Sequence, residues 1–132
     1  MQNFNEPVPT VKTFGEFLNT KRREREFTSL WVCERIGISP SYYCDIERDR
    51  RNPPDMRILE RMVVVLQLTE DDINTFFDLA GKSRQEAPPD LPEYINRYQI
   101  VRVALRMAKS RGHEDDWRKF VYHLEQKPME GG

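Results

Sequence analysis

Apolar residues recur three and four positions apart along most of the chain, and strand-like alternation between turns is absent. The pattern predicts an all-α fold. Thr13 precedes Phe14, Phe17 and Leu18, with Glu16 three residues on as its reciprocal capping partner, so a first helix is expected to run to about Glu26. Thr28 caps a second helix that runs to Ile36, with Val32, Cys33 and Ile36 inward. Gly37 suits the left-handed position that ends a helix. Ser39 caps a third helix, and Pro40 takes its first position, where a missing N–H costs nothing. Tyr43, Ile46 and Glu47 share one side of it, leaving Tyr42 on the surface. "RNPPD" then stops the chain and spaces out a fourth helix, about Asp55 to Leu66, with Met56, Leu59, Met62, Val63 and Leu66 inward. Thr69 and Asp72 form another capping box, opening a fifth helix that Gly81 is expected to close.

The pattern changes after residue 81. "KSRQEAPPDLP", residues 82–92, is a polar, proline-rich linker. Beyond it a short helix is expected around Glu93 to Tyr98, another around Ile100 to Lys109 and a last around Glu114 to Gln126. Trp117, Phe120, Val121 and Leu124 recur at i, i+3, i+4 and i+7, an amphipathic stripe. The helix before it is apolar nearly all round. Two readings stay open: packing onto the first half, or a dimer interface whose candidate residues are Ile100, Val101, Leu105, Trp117, Phe120, Val121 and Leu124. The expected organisation is a flexible tail over 1–12, a domain over 13–81, the linker over 82–92, a helical extension over 93–127 and a flexible end over 128–132.

Composition narrows the function classes. A chain of 132 residues with 38% hydrophobic and 33% charged side chains can build one modest helical core. It holds no apolar run near the ~20 residues a membrane span needs, and "MQNFNEPVPT" lacks the basic and apolar segments of a secretory signal, so no membrane is expected and the location reads as cytoplasmic. Cys33 and Cys44 make no disulfide framework and read as reduced thiols. His113 and His123 lack cysteine partners at ligand spacing, so no metal and no cofactor are expected. With no nucleophile beside a base and no phosphate-cradling glycine loop, the chain does not read as an enzyme. Net charge is −1, but Lys12 to Arg61 holds 11 cationic against 9 anionic side chains, so local placement matters more than the total.

The informative stretch is "RIGISPSYYCDIERDRRNPP", residues 35–54. A short helix, a glycine-containing break and a second short helix make the helix-turn-helix layout. Small Cys33 sits four positions before Gly37, where two helices must approach closely, and Ile38 and Ile46 are spaced to pack back on the first helix pair. Arg48, Arg50 and Arg51 follow at once, the cations that a phosphate backbone requires.

Together with "FGEFLNTKRRERE" and "RILERM", this stretch resembles the Xre, or lambda-repressor-like, helix-turn-helix family over residues 13 to about 68. The resemblance implies a five-helix DNA-binding domain followed by a C-terminal helical extension. Its third helix would enter the major groove of double-stranded DNA while the second lies across the backbone. Ser39, Ser41, Tyr42 and Asp45 would face base edges, with Pro40 and Cys44 at the groove surface. Thr28, Ser29, Arg48, Arg50, Arg51 and Asn52 would meet phosphates, and Arg22 with Glu47 would form a structural ion pair. The looser likeness of the extension to Xre regulators implies a homodimer, expected to act as a repressor on a near-palindromic operator. Many relatives carry a glutamine and further polar residues where this chain has Ser29, Leu30 and Trp31. That pair, Leu30 and Trp31, is either a protein-partner surface or covered by local packing or the N-terminal tail. "KRRERE", residues 21–26, reads as a solvated helix face apart from Arg22. An antitoxin-type module that neutralises a partner protein through the C-terminal helices stays open as an alternative.

Overall fold

Five helices in the first part of the chain each begin on a side chain that caps its own backbone. In the computed structural model, which describes residues 12–129, α1 spans Phe14–Glu24, α2 Ser29–Ile36, α3 Pro40–Glu47, α4 Met56–Val65 and α5 Glu70–Ser83. Thr13, Thr28, Ser39, Asp55 and Thr69 accept the N–H of Glu16, Trp31, Tyr42, Ile58 and Asp72, respectively. Each satisfies a backbone donor that the first turn would otherwise orphan. The boxes at Thr13–Glu16 and Thr69–Asp72 are both reciprocal.

The helix ends follow a second rule. Glu26, Gly37, Asp49, Gln67 and Gln85 all have left-handed backbone, with φ between 54° and 82°. The N–H of the next residue then reaches back to a carbonyl in the last turn: Phe27 to Arg22, Ile38 to Cys33, Arg50 to Asp45, Leu68 to Val63 and Glu86 to Gly81. This is the Schellman closure. Only one of the five positions is glycine. The expected run of α1 to Glu26 is therefore corrected: the helix stops at Glu24, because Glu26 has already turned left-handed.

Gly81 is likewise not the closing residue of α5. The helix continues to Ser83, the first two residues of the expected linker, and Gln85 closes it. Gly81 is buried within the helix, where an added Cβ would lie 2.8 Å from the Ala87 carbonyl group. Its value is closeness to the returning chain, not backbone freedom. Arg84 then donates to the carbonyls of Pro53 and Pro54, tying this segment to the turn after α3.

The core collects one face from each of the five helices: Phe14, Phe17 and Leu18; Val32, Cys33 and Ile36; Tyr43 and Ile46; Leu59, Met62 and Leu66; and Phe76 and Ala80. In α4 the buried set includes Ile58, which the spacing had not placed inward, while Met56 and Val63 are only partly covered. Phe76 is the hub, with ring centroids 5.1 Å from Phe14 and 5.2 Å edge-on from Phe77. Burying side chains of this size contributes roughly 1.5–3 kcal/mol each, the main source of stability for helices this short.

The chain divides into two units, one ending at Pro92 and the other beginning at Glu93. In the second, α7 (Gln99–Arg111) and α8 (Glu114–Glu125) follow a short α6 (Pro92–Arg97). Arg102 donates to the carbonyls of Ile95 and Asn96, holding the start of α7 to the end of α6. None of the described residues from Glu93 onward is buried. The residues expected to form the N-terminal tail lie outside the described residues apart from Lys12, as do 130–132 of the expected flexible end. Among the described residues no strand occurs and no helix is long and apolar enough to cross a membrane.

Candidate nucleic-acid interface

The geometry that matters begins with Gly37. Its left-handed backbone turns the chain between α2 and α3, and its N–H and that of Ile38 both donate to the Cys33 carbonyl, at 3.0 and 3.1 Å. Cys33 is fully buried at the crossing, where burial pushes its thiol pKa up, and Ile46 is fully buried on the other helix. The backbone of this turn is further held by Arg61, whose guanidinium donates to the Ile36 carbonyl at 3.1 Å.

A charged cluster sets the tilt of α3. Arg22 Nε lies 2.7 Å from Glu47 Oε1, and its Nη2 reaches Oε2 at 3.2 Å, a two-point contact between α1 and the end of α3. Asn19, which sequence reasoning missed, donates to the same carboxylate at 2.9 Å. Arg22 Nη1 also donates to the Phe27 carbonyl at 2.8 Å, so one side chain closes α1 and anchors α3. Burial pushes the Glu47 carboxyl upward, but the hydrogen bonds from Arg22 and Asn19 prevail and hold it below the ordinary carboxylate range. Tyr43 is fully buried beside this pair, and burial raises its pKa.

Asp49, just past α3, is a second anchor that the sequence did not single out. Its carboxylate accepts the Thr13 hydroxyl at 2.5 Å and the Gly15 N–H at 2.9 Å. The end of α3 is thus hydrogen-bonded to the start of α1. The available signal was its place two residues after the last residue of α3, in a segment whose arginines drew the reading.

With α3 fixed from behind, its front is open. Ser39, Pro40 and Ser41 are exposed, while Tyr42, Cys44 and Asp45 are half-buried along the same rod. Arg48, Arg50, Arg51 and Asn52 are all exposed. Arg51 sits 5.7 Å over the Tyr42 ring, which ties that aromatic to the cationic turn. At the start of α2, Thr28 is exposed and spends its hydroxyl oxygen on the Trp31 N–H, and Ser29 is half-buried.

Leu30 and Trp31 do not behave as a pair. Trp31 stacks on Phe27 with centroids 4.1 Å apart, and the Arg35 guanidinium lies 3.6 Å over its ring. Local packing covers part of it, leaving Trp31 half-buried. Leu30 is 53% exposed. In the second unit the apolar candidates are open: Ile100 is 72% exposed, Phe120 49%, Val121 52%, Leu124 46% and Trp117 39%. Leu105 is exposed too, whereas Val101 is half-covered.

A model of the family described as "Helix-turn-helix domain" matches residues 13–76, from the cap of α1 into α5. Residues 13–76, just under half of the chain, are thus a helix-turn-helix domain. The helix-turn-helix pair proper is α2 and α3. Among curated proteins the chain is similar to an immunity repressor protein of Bacillus phage phi105, with 44% identity over 41 residues. That match takes in 31% of this chain and 28% of the relative, so this helix-turn-helix protein aligns with under a third of it. Among solved structures it is similar to one titled as a complex of SinR and SinI proteins. There the TM-score is 0.43 and the identity 17%, covering 86% of this chain and 95% of that one.

Proposed function

We propose that the protein is a sequence-specific DNA-binding transcriptional regulator, acting as a dimeric repressor that lays α3 in the major groove of a near-palindromic operator. The observation that carries this reading is the division of labour among the arginines. Arg22, Arg25, Arg35, Arg61 and Arg84 are spent inside the fold, on Glu47 or on backbone carbonyls. Among the described residues Arg48 and Arg50 make no such contact, Arg51 lies over the Tyr42 ring, and all three stand exposed behind the open front of α3. Cations that do no structural work, set beside a groove-sized helix, fit a polyanion.

In this reading residues 13–81 bind DNA and 93–127 dimerise. Ser39, Ser41, Tyr42 and Asp45 face bases; Pro40 and Cys44 line the groove; Thr28, Ser29, Arg48, Arg50, Arg51 and Asn52 meet phosphates. Asp45 can accept only, which suits the N4 amino group of cytosine, and the Tyr42 ring suits a thymine methyl. The test is selection of bound duplexes from a random pool by the full chain at two salt concentrations. Expected are paired half-sites about 34 Å apart and weaker retention at the higher salt. Absence of any enriched sequence at either salt would sink the reading.

The open apolar faces of α7 and α8 also favour a second reading, an antitoxin-type protein whose C-terminal helices neutralise a partner protein. A monomer in solution that becomes a stoichiometric complex with a protein encoded beside it would select this alternative.

A further inference from the structure

We propose that Arg23, on α1, grips a DNA backbone phosphate seated at the start of α2, so that α1, α2 and the end of α3 share one hold on the strand. The inference rests on the DNA-binding reading above. It begins from the basic end of α1. Lys21 is paired with Asp72 at 2.9 Å and with Glu24 at 3.3 Å. Arg22 holds Glu47, and Arg25 donates to the carbonyls of Leu66 and Gln67. Arg23 is the remaining cation of this cluster; it is exposed and no described residue pairs with it.

Arg23 is not pointed at open solvent alone. It lines a cleft of about 250 Å³ together with Ser29, Cys44, Arg48 and the Arg22–Glu47 pair. Arg22 and Glu47 neutralise one another, so Arg23 and Arg48 leave the cleft positive. The first-turn N–H of Ser29 has no acceptor inside α2, since no helical carbonyl lies a turn before it, and the Thr28 side chain caps the Trp31 N–H and not this one. Two guanidinium groups and unspent donors at a helix start match a tetrahedral anion. Arg48 belongs to the turn after α3, and Ser29 to the helix laid across the backbone. A single phosphate between them is therefore flanked by α1 as well, which sets the distance of α1 from the strand.

The test uses the full chain with a mixed-sequence duplex of about 30 base pairs, read by fluorescence anisotropy across a salt series. In Arg23→Ala, the slope of log affinity against log salt is expected to flatten by about 0.9, one phosphate's worth. The affinity lost between 50 and 200 mM salt then shrinks by roughly 3-fold. Arg23→Lys should restore the slope, and melting temperatures should match the wild type, since Arg23 holds nothing in the fold. In a scan of duplexes each carrying one neutral methylphosphonate, one position should weaken the wild type and leave Arg23→Ala unaffected. If the wild type binds and Arg23→Ala keeps its slope, or no position behaves in this way, Arg23 has no phosphate. If the wild type binds no duplex at any salt, the DNA-binding reading itself fails, a result separable from the first.

Discussion

Asp49 clasps Gly15: its Oδ1 accepts the Gly15 N–H at 2.9 Å, and the backbone of α1 at that point lies against the last turn of α3. A Cβ at position 15 would sit 2.4 Å from the Glu47 carbonyl oxygen and 2.6 Å from that of Ile46. Both are backbone atoms and cannot swing aside. Gly15→Ala is therefore expected to cost at least the ~1–3 kcal/mol typical of overpacking, seen as a lower urea midpoint. Equal midpoints for the two proteins would mean that α1 and α3 are not this close in solution.

Glu47 carries a pH dependence of defined sign. Its carboxyl titrates lower in the folded protein than in the unfolded chain, because Arg22 and Asn19 favour the charged form over the cost of burial. The stability it contributes is thus complete above the ordinary carboxylate range and is lost as pH falls through its lowered folded value. Denaturation midpoints of wild type and Glu47→Gln, compared from neutral to acidic pH, should converge at the acidic end. A constant gap would place the effect in packing and not in charge.

Removing only Arg22 is expected to be worse than removing the charge pair. Arg22→Met leaves Glu47 buried without its cation and takes the donor from the Phe27 carbonyl, at a cost of ~3–5 kcal/mol. Arg22→Met with Glu47→Leu should recover part of that loss. A double variant less stable than Arg22→Met would mean that Glu47 without its cation is no burden to the fold.

The turn after α3 is expected to act through charge alone. Arg50→Ala with Arg51→Ala should leave the melting temperature near that of the wild type, lower affinity for every duplex and flatten the salt slope by about 1.8, two phosphates' worth. Loss of binding to one sequence only would reassign these residues to base reading.

Trp117 reports on assembly. With Trp31→Phe, α8 carries the only tryptophan, and it is 39% exposed in the single chain. Dimerisation through the apolar stripe should shift its emission to the blue as concentration rises, with sedimentation moving from monomer to dimer over the same range. Sedimentation as a dimer with an unshifted Trp117 would locate the interface elsewhere.

The starts of the helices were legible residue by residue. A helix start is satisfied by one side chain bonding two or three residues ahead, so Thr13, Thr28, Ser39 and Thr69 declare themselves in a linear reading, while Asp55 shows there only as the approximate start of α4. The periodicity around them was nearly enough for the core, and the arginines after α3 stood out by proximity. The helix ends were not legible, Gly37 apart. Glu26, Asp49, Gln67 and Gln85 adopt a backbone their side chains disfavour by roughly 1–2 kcal/mol, and packing of the neighbouring helices makes that conformation the one that closes the core. The same holds for Asn19 joining Glu47, Asp49 holding Gly15 and Arg23 entering a cleft with Arg48. Each pair is separated by 25 residues or more. Local hydrogen bonding is encoded within a few residues of chain; which distant groups meet depends on how the helices stack, and the three-dimensional fold alone decides it.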